Sequence, residues 1–368
     1  MINKERLLSK FLEYVQIDSE STHEGQMALH MKKELEDLGF EVEIEAPSPI
    51  SGSETGNIIA KLKGDESKKP LLFSAHMDTV VPGIGVKPVV KDGFVYSDGT
   101  TVLGSDDKSG IAEVLEAVHS AQEQGIKTIP VEIIFSVCEE IGLLGAKSAD
   151  LSKFDAEDVI VLDSGGPAGT IVKAAPGQVS FEATFKGKAS HAGSAPEKGI
   201  SAIITAANAI SEMELLRIDE ETTANIGTFE ASVPTNIVCD RAYIKGEIRS
   251  RNIDKLNAHV EQIKGAIDSA CKKTGAEVDC KFTTTYEPYA LPEDFPLIVR
   301  VKEACIRCGF EANVKNGGGG SDANVMNKKG KNAIVISSGM TKVHTTEEHI
   351  NIKVMEDTAE LILELIKA

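Results

Sequence analysis

The stretch Leu71–Gly83, LLFSAHMDTVVPG, is an apolar run suited to the interior of a sheet, and it ends in a histidine, an acid and a proline-glycine turn. Residues two apart in an extended chain share a face, so His76 and Asp78 point the same way just past the strand. A continuous apolar strand belongs to a parallel sheet covered by helices, where ligands gather at the carboxyl ends of the strands. One His-X-Asp is equally what a strand reaching solvent would carry. Partners elsewhere in the chain decide between the two.

Outward from that stretch, helix-like and strand-like segments alternate. Two helices come first, and the opening one spaces Leu7, Leu8, Phe11, Leu12 and Val15 along one face. FEVEIEA, GNIIAKLKG, PVEIIFSVC and DVIVLDS read as strands, and DKSGIAEVLEAVHSAQEQG as a helix among them. This predicts an α/β fold with a mostly parallel sheet and helices on both faces. From residue 177 the texture changes. QVSFEATFKGKA alternates as a strand, GISAIITAANAISEMELL is a helix, TNIVCDRAYIKGEIRS supplies strands, IDKLNAHVEQIKGAIDSACKKTG is a second helix and EVDCKFTTTY a last strand. That order is the split pattern of an α+β, ferredoxin-like sandwich. The first texture returns with a helix near 294–307, the strand NAIVISSG and a C-terminal helix from about 350. The expected organisation is an α/β domain of residues 1–176 and 288–368, interrupted by an inserted domain at 177–287.

A chain of 368 residues is long enough for two cores. Its net charge of −18 lacks the positive footprint that nucleic acid or an anionic membrane surface requires, so neither is expected as a partner. With no signal-peptide core at the start and no apolar run of transmembrane length, a cytoplasmic protein is expected. The cysteines at 138, 239, 271, 280, 305 and 308 have no framework spacing, which suits a reducing compartment. Cys305 and Cys308 form a C-x-x-C within a helical pattern and read as core packing.

The other strand ends repeat the pattern of the first. LGSDDKSG sets Asp106 and Asp107 in a loop before a helix, FSVCEEIG ends in Glu139 and Glu140, IVLDSGG ends in Asp163, and SSGMTKVHTTEE supplies His344 after a late strand. Singly, each has a plain explanation: a solvated edge, a helix cap, a surface histidine. Together they would converge at one rim, where the carboxylates would repel each other and raise one another's pKa values. A divalent cation removes that cost. Two histidines and three or more carboxylates exceed one tetrahedral zinc with an open position, and suit two metals sharing a carboxylate.

In order, the motifs HMD, GSDDKSG, CEEIG, LDSGG, ASHAG and VHTTEE resemble those of the co-catalytic zinc peptidases, the family that includes aminoacylase, carboxypeptidase G and peptidase T. The resemblance spans essentially the whole chain, and TVLGSDDKSG, EEIGLLGA and GGGGSDAN are most similar to peptidase T-like, tripeptide aminopeptidase-like proteins. It implies a catalytic domain holding two Zn2+ per chain, with Co2+ or Mn2+ able to substitute, and an inserted lid and dimerisation domain that makes a homodimer. It also implies hydrolysis of short peptides from the amino end. His76, Asp106 and Asp163 would hold one zinc, and Asp106, Glu140 and His344 the other, with Asp106 bridging. Asp78 would accept the free N–H of His76 and fix its tautomer. Glu139 would be the general base, taking a proton from the attacking water and passing it to the leaving amine. A cis peptide bond between Asp106 and Asp107 is also implied.

In the insertion, KASHAGSAPEKG presents His191, which the resemblance sends to the partner subunit's site to polarise the scissile carbonyl. Asn236 of VPTNIV would bind substrate backbone and Arg249 of GEIRS would grip a carboxylate in a two-point fork. The glycines 317–320, Gly319 among them, and Ser321 would cradle substrate or form a hinge; no P-loop lysine follows them. A carboxypeptidase or N-acyl amino acid deacylase of the same family would share every metal ligand. A binuclear phosphoesterase would be expected to carry more histidines and an arginine beside the metals, and a non-catalytic binding relative would have lost a ligand or the base.

Overall fold

The strand Leu71–His76 is buried along its whole length and runs parallel to both of its neighbours, Val131–Ser136 and Asp158–Val161. This is the centre of the first of two compact units in the computed structural model, which describes residues 1–368. That unit comprises residues 1–174, 291–317 and 321–368; the second comprises 175–290 and 318–320.

In the first unit the strands lie in the order Glu41–Ile44, Ile58–Leu62, Val131–Ser136, Leu71–His76, Asp158–Val161, Asn332–Ile336, Thr170–Ala175, with Asn313–Asn316 parallel beside the last. The centre is parallel, whereas Ile58–Leu62 joins it antiparallel, and so does Thr170–Ala175. The sheet is therefore mixed, with the expected parallel arrangement confined mainly to the strands whose two faces are both covered. Glu41–Ile44, at the edge, alternates between exposed and half-buried residues. The helices Ser105–Glu123 and Ile352–Ile366 pack together, with Lys4–Val15 and Pro296–Cys308 alongside. Leu7, Phe11, Phe73, Phe135 and Ile362 share this core, each worth about 1.5–3 kcal/mol when fully buried. Cys305 is buried and Cys308 half-buried in it, and burial pushes both thiols up to about 11.

A small sheet that sequence patterning did not anticipate joins Val89–Lys91, Phe94–Tyr96, His349–Asn351 and Met340–Thr341. Its hairpin turns at Asp92 and Gly93, with φ of 52° and 80°, as a two-residue turn of the mirror-image type requires. The Asp-Gly pair in VVKDGFVY was the available signal. This sheet fixes the chain on either side of His344.

In the second unit an antiparallel sheet in the order Leu216–Arg217, Thr222–Glu230, Arg241–Ser250, Gly177–Lys186, Glu277–Tyr286 is packed by the helices Ala202–Glu212 and Ile253–Thr274 around Phe181, Phe185, Ile244, Ile248 and Ile263. Asn252 caps the longer helix by accepting from the N–H groups of Asp254 and Lys255. One expectation is corrected here. TNIVCD does not extend the strand that follows it; Ile237 N–H instead closes a turn onto Pro234 O, and the strand beside Arg241–Ser250 is Thr222–Glu230. Pro234 has no N–H for a ladder, which favours a turn there.

Candidate metal centre

Three of the five candidate ligands, and Glu139 with them, stand at the carboxyl end of a strand of the parallel centre. His76 is the last residue of its strand, Glu139 and Glu140 follow Val131–Ser136, and Asp163 follows Asp158–Val161, whereas Asp106 is the second residue of the helix Ser105–Glu123, reached through the hairpin Val89–Tyr96. Asp106 and Asp107 have non-helical backbone angles, and the peptide bond between them is cis. His344 arrives from far downstream with φ of 63°.

The centre is organised about Asp106. Its Oδ1 lies 3.0 Å from His76 Nε2 and its Oδ2 lies 3.2 Å from His344 Nε2, so one carboxylate faces an imidazole on each side. His344 Nε2 is also 2.9 Å from Glu140 Oε2. Ligand atoms of His76, Asp106 and Glu140 lie within 4.8 Å of one another, and so do those of His76, Glu139 and Asp163. All five residues expected to bind metal thus meet at one rim, with Glu139 among them.

The electrostatics are those of a site that favours cations. Burial, then the charge of Asp106, pushes the Asp163 carboxyl well above the usual range. Burial, then the charge of Asp163, does the same to Glu139. Asp106 goes the other way: burial opposes its charge, yet the hydrogen bonds to His344 and His76 hold it below the ordinary range. His344 is raised to about 10 by Asp106 and Glu140. Nitrogen and oxygen donors around crowded carboxylates fit divalent zinc, cobalt or manganese, and the shared Asp106 fits a pair of them.

Asp78 offers His76 two acceptors. His76 Nδ1 is 2.9 Å from the backbone carbonyl of Asp78 and 3.5 Å from its carboxylate, so the carbonyl is the nearer acceptor that leaves Nε2 free for metal. The carboxylate accepts from Glu139 N–H at 2.9 Å, Glu140 N–H at 3.2 Å and the Ser21 hydroxyl at 2.7 Å.

Three buried acids were not singled out from sequence. Glu348 accepts from the loop 103–106. Glu24 accepts from Cys138 N–H at 3.0 Å and from the Ser53 hydroxyl, bracing the turn before Glu139. Asp322 accepts from the Ser136 hydroxyl, and burial raises its carboxyl to about 6. Glu348 stood within VHTTEE and Asp322 within GGGGSDAN, but a helix or turn acid has no periodicity to mark it.

In the second unit, His191 Nδ1 accepts the N–H groups of Gly193 and Ser194 at 3.1 and 3.2 Å, which puts the ring proton on Nε2. The loop of Asn236 lies against it through Ala192 N–H and Asn236 O, and both side chains are exposed. Arg249 already makes a two-point contact with Glu247, at 2.8 and 3.2 Å. Gly319 is exposed, and a Cβ on Gly320 would sit 2.3 Å from the Tyr286 ring. Ser321, in the first unit, is buried and spends its hydroxyl on the N-cap of Asp322–Lys328.

Strand-end imidazoles and carboxylates sharing one aspartate define a candidate two-metal centre on an α/β scaffold. The chain belongs to the peptidase family M20/M25/M40, which matches residues 72–368. It is similar to the crystal structure of aminopeptidase PepT from Bacillus cereus, with 41% identity, a TM-score of 0.91 and coverage of 99% of this chain and 98% of that one. It is also similar to the structure of a tripeptidase from Staphylococcus aureus, with 36% identity, a TM-score of 0.97 and coverage of 100% and 98%. A Peptidase T from Fusobacterium nucleatum is 27% identical over 410 residues, covering 98% of this chain and 97% of its own. No helix is long and apolar enough to cross a membrane.

Proposed function

We propose that this M20 peptidase is a two-zinc aminopeptidase that releases the first residue of short peptides, tripeptides in particular. The observation that carries the reading is the Asp106 carboxylate with one oxygen towards His76 and the other towards His344. The names of the Bacillus cereus and Staphylococcus aureus relatives support the substrate class.

His76, Asp106 and Asp163 would hold one cation, and Asp106, Glu140 and His344 the second. When bound, the pair supplies Lewis-acid activation of water and of the scissile carbonyl. The chain's own residues do the rest. Glu139, its carboxyl raised by burial, takes the proton of the attacking water and returns it to the leaving amine. Asp78 sets Glu139 and Glu140 through their backbone N–H groups. His191, with its proton on Nε2, donates to the carbonyl oxygen as negative charge develops there.

In this reading residues 177–287 form the lid and the contact surface of a cytoplasmic homodimer, and His191 serves the partner's centre. Asn236, exposed beside the His191 loop, binds peptide backbone. Arg249 takes a substrate carboxylate by exchanging it for Glu247, and the exposed Gly319 meets peptide backbone, whereas Ser321, buried with its hydroxyl on the N-cap of Asp322–Lys328, is not a substrate contact.

The test is a panel of di- and tripeptides with free or blocked termini, assayed with zinc, cobalt or manganese. Cleavage that requires a free amino terminus is expected. Efficient hydrolysis of N-acylated substrates would transfer the assignment to a deacylase or carboxypeptidase.

A further inference from the structure

Glu348 is 1% exposed, and its carboxylate is saturated by one short run of chain. Oε2 accepts Leu103 N–H at 2.8 Å and Gly104 N–H at 3.0 Å; Oε1 accepts the Ser105 hydroxyl at 2.6 Å and Asp106 N–H at 3.1 Å. The last of these donors is the backbone of the residue whose side chain stands between the two histidines.

The other end of this contact is anchored as firmly. The strand His349–Asn351 begins one residue later and pairs on one side with Phe94–Tyr96 and on the other with Met340–Thr341. Glu348 N–H closes a turn onto Thr345 O at 3.1 Å, and His344 precedes that turn. One carboxylate therefore ties the loop that carries Asp106 to the segment that carries His344, residues separated by more than two hundred positions.

We propose that Glu348 is a positioning residue for metal binding: it fixes the Asp106 loop so that each oxygen of that carboxylate faces its own histidine. The inference rests on the two-metal reading above. Only a carboxylate serves, because all four partners are donors and charge-assisted hydrogen bonds are roughly twice as strong as neutral ones. A glutamine would offer one oxygen and turn an N–H2 group towards two other N–H or O–H donors, leaving buried groups unpartnered. The loop could then swivel, and Asp106 would face one histidine at the expense of the other.

The test is equilibrium binding of Co2+ to metal-free wild type, Glu348→Gln and Ser105→Ala, by competition with a chelator, with the visible absorption of the bound ion recorded. Wild-type protein that binds no Co2+ would refute the metal reading itself, a result separate from any difference among the variants. Glu348→Gln is expected to weaken Co2+ binding about 10–100-fold, as loss of a residue supporting a metal ligand does, and to shift the absorption bands. Ser105→Ala keeps the carboxylate and removes one donor, so a smaller weakening of a few-fold is expected. A purely structural Glu348 would lower the melting temperature of the metal-free protein yet leave the affinity and spectrum of the folded protein at wild-type values. That result overturns the proposal. If Glu348→Gln does not fold, Ser105→Ala decides alone: weakened binding supports the proposal, and wild-type binding overturns it.

Discussion

Asp78 holds Glu139 by the backbone: its Oδ1 accepts the Glu139 N–H at 2.9 Å, while Oδ2 takes that of Glu140 at 3.2 Å. One fully buried carboxylate thereby sets the direction of two neighbouring side chains with different proposed tasks, and its own carbonyl orients His76. Asp78→Asn keeps the carbonyl contact but leaves one of the two N–H groups facing an amide N–H2. Its cost to stability should be about 1–3 kcal/mol, the penalty for an unpartnered buried group. Turnover should fall about 10–100-fold. Denaturant unfolding and steady-state kinetics on the same preparation check both numbers, and wild-type turnover would refute the role.

Glu139→Gln preserves size and removes the basic carboxylate. Turnover should drop by at least about 100-fold, as loss of general base catalysis does, with metal content near normal. Glu140→Gln, beside His344 Nε2, should instead lose metal. Reversed phenotypes would show that base and ligand have been exchanged along Cys138–Glu140.

Chelation should abolish activity and zinc or cobalt restore it, with metal analysis finding two ions per chain because Asp106 faces both histidines. Full activity with one equivalent, untouched by Asp163→Ala, is incompatible with a shared aspartate.

Two inactive proteins, His191→Ala and Glu139→Ala, should complement each other when unfolded and refolded together. A mixed dimer has one site with its own Glu139 and its partner's His191. With half of the dimers mixed and one working site in each, about a quarter of wild-type activity is expected. Mixed dimers without activity would confine His191 to its own chain or exclude it from the reaction.

The sequence made the strand ends legible because a doubly covered strand is a continuous apolar run, and a histidine or acid at its end stands out against it. His76, Glu139, Glu140 and Asp163 were all found in this way, and their placement at one rim follows from parallel pairing. What escaped was of another kind. Glu348 and Glu24 act through backbone N–H groups distant in sequence, so neither spacing nor alternation marks them. TNIVCD reads as a strand because its β-branched residues look extended, but it follows a proline that closes a turn, and the strand beside Arg241–Ser250 is Thr222–Glu230. The tautomer of His191 depends on two loop N–H groups, which no pattern of residue types specifies.

The sheet order also has a consequence for biosynthesis. Asn332–Ile336 is inserted between Asp158–Val161 and Thr170–Ala175, so strands made early lack an interior neighbour until nearly the whole polypeptide has left the ribosome. His344 and Glu348 come later still. On the proposed assignment, the metal centre is therefore among the last features a growing chain can complete. A chain ended at residue 331 should be inactive and readily degraded by added protease; a folded, active fragment would contradict this order of events.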